Sequence, residues 1–402
     1  MSRLTYEEHI LLDNLIYLEL NPSENKKIID IVYNLMNNGY FDYFMNKVGD
    51  CLIRMPKSEW INLLKQILSK PNLRELRITN TNTYYNSGMK YACFVDEEDN
   101  ATVVFRGTVT SDEWVDNGKS AYDVETTEQI DALNYINTLR YNNITVTGHS
   151  KGGNKAQFVT ILSPKVSNCI SVNGQGFSNE FINRYSNEIN SNKSKIVSIN
   201  AKYDYVSCLF NRISDKIHYI KTDIQLNPFD YHKISILLDR NGRLRAETNE
   251  AEFTKIINDF SNKIISDLPE DMSKLIINEV INIVELITCK EKDDKNLLKV
   301  VGEYLLMFCY ENYLEYQEVF NIGYTLMEAL ILPMYFWNDL IYAQETQSKD
   351  SLNDIIRRMD TLGSSVIKKL EISNKNQINV TNSLSNSINN LIDRLKNESL
   401  KS

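Results

Sequence analysis

The feature that most constrains this chain is ITVTGHSKGGNKAQF, residues 144–158. A β-branched run enters a glycine, a serine and a second glycine, and a stretch that can begin a helix follows. The order strand, G-x-S-x-G, helix calls for a tight turn with Ser150 at its apex. Side chains two positions to either side would collide in such a turn, which accounts for Gly148 and Gly152. The turn also points the Lys151 amide and a helix amino terminus at one place, where developing negative charge is stabilised. Ser150 is therefore a candidate nucleophile. Five residues alone also fit an ordinary glycine turn, and it is the strand before them that favours the first reading.

The surrounding pattern says what sheet this strand joins. Residues 1–75 have helical spacing, as in ENKKIIDIVYNLMNNGYFDYFMNKV and EWINLLKQIL. From about 84 to 235 short β-rich runs alternate with helical ones: KYACFVD, ATVVFRG, ITVTG, NCISVNG, KIVSINA and KIHYIKTD, with EQIDALNYINTLR a clear helix among them. Such interleaving implies an α/β layer with a mainly parallel sheet. Beyond about 246 the pattern is helical again. The expected organisation is an α/β domain over 1–245, a helical domain over 246–345 and an amphipathic tail over 346–402. In the tail, Leu352, Ile355, Met359, Leu362 and Val366, then Leu384, Ile388, Leu391 and Leu395, step by threes and fours around a polar, Asn-rich middle. A coiled-coil hairpin that self-associates and a loose amphipathic tail both fit.

Composition removes several classes of partner. A net charge of −9 over 402 residues argues against general binding of nucleic acid. The six cysteines, Cys51, Cys93, Cys169, Cys208, Cys289 and Cys309, form no CxxC pair or Cys/His cluster. They read as small buried hydrophobes in a reducing compartment, and no metal site is expected. The amino terminus lacks a basic n-region and carries Asp13 in its apolar run, so it does not read as a secretory signal and a cytoplasmic location is expected. The longest apolar segment, IGYTLMEALILPMYFW, is interrupted by Glu328 and Pro333 and bounded by Asn338 and Asp339; it reads as buried helices, not a membrane span.

A second signal is VVFRGT, residues 103–108, a β run ending in Arg106-Gly107-Thr108. Alone it fits a strand ending in a turn. VVFRGT followed by EWVDN and GHSKGG resembles the class 3 lipase group of α/β hydrolases, and more closely an uncharacterised bacterial lipase-like branch of it. LDNLIYLEL, SVNGQGFSNEFI and KIVSINAKYDYVS extend the resemblance over roughly the first 240 residues. It implies an α/β-hydrolase fold and a serine esterase or lipase with Ser150 as nucleophile. It also implies Thr108 and Lys151 as oxyanion donors and lipid esters as substrates, with a soluble acyl ester or thioester next. Such a mechanism needs no cofactor, and a lipid substrate would bring peripheral contact with a membrane.

In that fold the acid and the histidine follow the serine on loops after later strands. Of four histidines, His9 lies upstream and His149 sits within the turn itself. His232, after the loop NPFDYH, is favoured over His218, which falls inside the strand-like KIHYIKTD. Asp204 ends the run KIVSINA and occupies the place of the family's acid; Asp215, Asp223 and Asp230 are rivals. The bacterial branch typically carries its histidine where Leu226 stands. Either a local shift to His232 preserves the triad, or the chain is a silent hydrolase-like scaffold whose helical half binds a partner.

Overall fold

The computed structural model describes residues 4–267 and 332–401, apart from 22, 38, 49–54, 86–87, 110, 334 and 374–377, together with 274 and 277. Its centre is an eight-stranded sheet: β1 (Arg77–Asn82), β2 (Tyr91–Val95), β3 (Ala101–Phe105), β4 (Ile144–His149), β5 (Val166–Val172), β6 (Ile196–Ala201), β7 (Lys216–Ile220) and β8 (Glu247–Thr248). Each strand pairs with its neighbour in sequence. β3 to β7 run parallel, while β1 and β2 at one edge and β8 at the other are antiparallel additions. This is the α/β architecture with a mainly parallel sheet that the alternation implies. The edge strands β1 and β8 were not legible. β1 reads RITNTN, nearly all polar, because an edge strand pairs on one side only and keeps a wet surface.

Among the described residues five helices precede the sheet: α1 (Tyr6–Leu15), α2 (Ile28–Asn37), α3 (Tyr40–Val48), α4 (Lys57–Ser69) and α5 (Pro71–Glu75). α1 opens on a capping box, in which the Thr5 hydroxyl accepts from the Glu8 amide and the Glu8 carboxylate accepts from the Thr5 amide. From Glu8 to Leu15 every residue of α1 is buried. α6 (Ser111–Lys119) and α7 (Thr127–Thr138) lie between β3 and β4, and α8 (Lys151–Leu162) follows β4. α9 (Asn179–Arg184) and α10 (Ser186–Asn192) follow β5.

Alternation along the strands assigns α1 and α8 to opposite faces. Val104, Ile170, Val172 and Ile199 share a core with Leu11, Leu12 and Leu15 of α1. Val103, Phe105, Val146 and Cys169 share another with Ala156, Phe158 and Val159 of α8. β4 differs from its neighbours. Its α8 side is apolar, with Ile144 and Val146, but its other side carries Thr145, Thr147 and His149.

By contacts the chain divides into two units, one comprising Met1–Ser207, Asn211–Ile224 and Phe229–Asn249 and the other Cys208–Phe210, Gln225–Pro228 and Glu250–Ser402. The first unit reaches past the expected limit at 245 because β8 completes the sheet. The second contains α11 (Glu252–Asp267), α12 (Trp337–Glu345), α13 (Lys349–Ser373) and α14 (Ile378–Lys401). Within it α13 and α14 pack as a hairpin and α14 packs on α11, with Arg394 reaching Asp259 at 2.8 Å. The buried stripe of α13 is Ile355, Ile356, Met359, Gly363 and Val366, and the expected Leu362 is 43% exposed. Gly363 takes the inner place, where a Cβ would lie 2.9 Å from Ile392 Cδ1 and 3.0 Å from Ile388 Cγ2, so any side chain there requires these isoleucines to shift. The helical readings over 278–331, and with them most of IGYTLMEALILPMYFW, lie outside the described residues. Among the described residues no helix is long and apolar enough to cross a membrane.

Candidate active site at the carboxyl edge of the sheet

The turn after β4 is as tight as the sequence requires. Ser150 has φ 59° and ψ −125°, a backbone that L-residues hold only when their surroundings impose it. Its amide is tied to the carbonyl of Val172 on β5 at 3.0 Å. A Cβ on Gly148 would sit 2.4 Å from the Gly152 carbonyl carbon, and one on Gly152 would sit 2.1 Å from the Phe105 oxygen. Both are far inside contact distance, so the two glycines let α8 start directly against the end of β3. The first amides of α8 then face the serine with no intrahelical partner, as at any helix start.

The end of β3 supplies the adjoining wall. A Cβ on Gly107 would lie 3.1 Å from the Ser150 Cβ, so the Gly107–Thr108 segment runs beside the serine. The Thr108 hydroxyl is buried without a hydrogen-bond partner. The segment is held by Glu113 of α6, whose carboxylate takes the fully buried Arg106 guanidinium at 2.8 Å and the Val109 amide at 2.5 Å. α8 is fastened to the same region. Lys151 Nζ lies 3.1 Å from Asp116 Oδ2, and Lys155 Nζ 2.7 Å from Glu128 Oε2. Burial pushes the Lys151 ammonium below its usual range. For Asp116 burial acts upward, but the Lys151 charge and several hydrogen bonds outweigh it and hold the carboxyl low.

Asp204 and His232 come together. Asp204 follows β6 in a turn closed by its amide on the Ala201 carbonyl, and its Oδ2 accepts the Ser207 amide at 2.7 Å. Its Oδ1 lies 2.6 Å from Nδ1 of His232, which ends a 3-10 turn over Pro228–His232 beyond β7. The carboxylate side chain is fully buried and the imidazole 17% exposed. With Nδ1–H donating to the carboxylate, Nε2 of the neutral ring keeps its lone pair. The His232 ring lies 4.4 Å, centroid to centroid, from that of His149, the residue before the serine. The Asp204–His232 pair thus lies at the carboxyl edge of the parallel strands, with His232 next to His149, the residue before Ser150.

The rival residues are engaged elsewhere. His218, on β7, bonds to Glu247 of β8 at 2.8 Å and faces the Tyr6 ring. Asp215 pairs with Lys193, Asp223 with Arg245 and Asp230 with Lys233. Leu226, where the resemblance leads one to look for a histidine, is 95% exposed. Of the apolar segment IGYTLMEALILPMYFW, Met327 lies outside the described residues, while Phe336 and Trp337 are buried core. Two residues close to the site were missed. Tyr17 Oη lies 2.8 Å from His149 Nδ1, and His149 Nε2 lies 2.8 Å from the His232 carbonyl oxygen. No group of side chains suited to a metal ion occurs among the described residues.

Fold and site together define an α/β protein with a strained serine turn at the carboxyl edge of a mainly parallel sheet and an Asp–His pair delivered beside it. The family model described as Mbeg1-like matches residues 74–279, just over half of the chain, and the chain belongs to that family. Comparison with curated proteins and with solved structures returned no match.

Proposed function

We propose that this protein is a serine hydrolase of the class 3 lipase-like kind, cleaving carboxylic esters through an acyl-enzyme. The observation that carries the reading is the 2.6 Å hydrogen bond between Asp204 and His232 beside a serine with the backbone of a nucleophile turn. His232 Nε2 takes the Ser150 proton as the hydroxyl attacks the ester carbonyl. Asp204 fixes the imidazole tautomer and stabilises the imidazolium that forms. The amides of Thr108 and Lys151 receive the oxyanion, each worth about 3 kcal/mol in sites of this kind. The partnerless Thr108 hydroxyl supports a third donor there. His232 then protonates the leaving alcohol, and water, activated the same way, releases the acid. No step calls for a metal or organic cofactor.

Lipid esters are the substrate class that follows from the resemblance. The test is hydrolysis of p-nitrophenyl esters of increasing acyl length, followed by monoacylglycerol and phospholipid, by wild type and Ser150→Ala. Turnover that vanishes in the variant and favours longer acyl chains supports the reading. Hydrolysis that persists in Ser150→Ala, or none by the folded wild type, overturns it and favours a hydrolase-like scaffold.

A further inference from the structure

The face of β4 opposite α8 is polar where a central parallel strand is normally apolar on both sides. Its partners on α1 and the residues just after it are polar too. Thr147 donates to Asp13 at 2.9 Å, and His149 meets Tyr17 at 2.8 Å. Asp13 and Tyr17 therefore keep step with Thr147 and His149 along a buried seam that ends at the candidate site.

The donors and acceptors at that end can be assigned. The His232 carbonyl oxygen only accepts, so His149 Nε2 carries the proton. Burial, reinforced by the neighbouring His232, holds the His149 imidazole well below its ordinary range, so the ring is neutral and Nδ1 accepts. Burial likewise pushes the Tyr17 phenol up, and its hydroxyl donates to that nitrogen; Tyr17 Oη also lies against Gly107, where a Cβ would be 2.4 Å from it. One directed chain results, from the Tyr17 hydroxyl through His149 to the His232 carbonyl. It starts at Tyr17, packed against the Gly107–Thr108 segment, passes through the residue before the serine and ends on the backbone of the proposed base.

We infer that His149, held in one tautomer by the His232 carbonyl and in place by Tyr17, is a positioning residue for His232, fixing the base's backbone while Asp204 fixes its ring. The inference rests on the serine-hydrolase reading only for its effect on rate. Its structural content, that the His232–Asp204 hydrogen bond depends on His149, stands apart from any activity.

The test combines two readouts on the full chain. One is the downfield proton resonance of the His232 Nδ1–H, assigned by its loss in His232→Ala. The other is kcat and KM for p-nitrophenyl butyrate. His149→Leu is expected to broaden or abolish the resonance and to lower kcat on the order of tenfold to a hundredfold at nearly constant KM, the effect of a small misplacement of a reacting group. His149→Gln, which can accept from Tyr17 and donate to the carbonyl, is expected to restore both. Tyr17→Phe should weaken both to a lesser extent, and Asp13→Asn, in the same seam but bonded to Thr147, should change neither. A sharp resonance and wild-type kcat in His149→Leu overturn the inference, as does equal damage by His149→Leu and soluble, folded His149→Gln. If His149→Leu does not fold, Tyr17→Phe and His149→Gln decide the matter by the same criteria. A wild type that shows the resonance but hydrolyses no ester refutes the hydrolase reading, and the resonance alone then decides the role of His149.

Discussion

At Ser150 the backbone is the unusual feature, since a serine at φ 59° and ψ −125° is held by its neighbours and not by preference. Asp13 is the other residue whose state its surroundings dictate. It is fully buried, and burial raises its carboxyl well above the usual range despite the Thr147 hydroxyl that pulls it down. A folded-state pKa above the unfolded value means that the folded chain keeps a proton the unfolded chain releases above about pH 4. The favourable linkage is complete below that pH and is lost as pH rises through the folded pKa. Asp13→Asn, a close match to the protonated carboxyl, has no such loss. It is expected to be more stable than wild type at pH 8, with a smaller gain at pH 5, as read from urea midpoints. An equal gain at both pH values would contradict the assignment. None of this was legible in the sequence, where Asp13 only interrupts an apolar run; the spacing of Asp13 and Tyr17 against Thr147 and His149 becomes a signal once the helix and strand are known to be neighbours.

Among the elements, α8 shows what could be read and what could not. Its start was written in Gly148 and Gly152, because a backbone collision can be worked out from residue types at fixed offsets. Its attachment was not. Lys151 was expected to contribute only an amide, yet its side chain makes a buried ion pair with Asp116, a contact across 35 residues that no local pattern reveals. Removing one member of such a pair strands a buried charge and typically costs about 3–5 kcal/mol, whereas replacing both by apolar groups is far milder. Lys151→Met is therefore expected to lower stability by about that amount, and Lys151→Met with Asp116→Leu to recover most of it. Denaturant unfolding of the two variants measures this; an additive loss in the double variant would deny the coupling. The tail is the converse case. The three-four spacing correctly marked Ile355, Met359 and Val366, but it chose Leu362 over Gly363 because periodicity weighs hydrophobicity and cannot see how closely two helices cross.

For the whole molecule, the division into two units predicts separable stability. Gly363→Leu should force α13 and α14 apart, since even a Cβ at that position meets Ile392 at 2.9 Å. Overpacking of this kind costs about 1–3 kcal/mol. The expected outcome is a calorimetric transition lowered for the helical unit, with the transition of the sheet-bearing unit and the reactivity of Ser150 unchanged. Loss of Ser150 reactivity in that variant would show instead that the site depends on the hairpin. The broad α/β plan, the serine turn and the pairing of Asp204 with His232 could all be anticipated from strand order and loop position. The edge strands, the polar seam and the ion pairs behind α8 could not, because each depends on partners distant in sequence. The central claim is that Ser150 is a nucleophile served by His232 and Asp204. The most direct measurement is covalent labelling of the full chain by a fluorophosphonate, with the modified peptide identified by mass spectrometry. The account predicts one phosphonyl group on Ser150, absent in Ser150→Ala and slowed by orders of magnitude in His232→Ala and Asp204→Asn. A folded wild type that takes up no label, or labelling indifferent to His232 and Asp204, would contradict it.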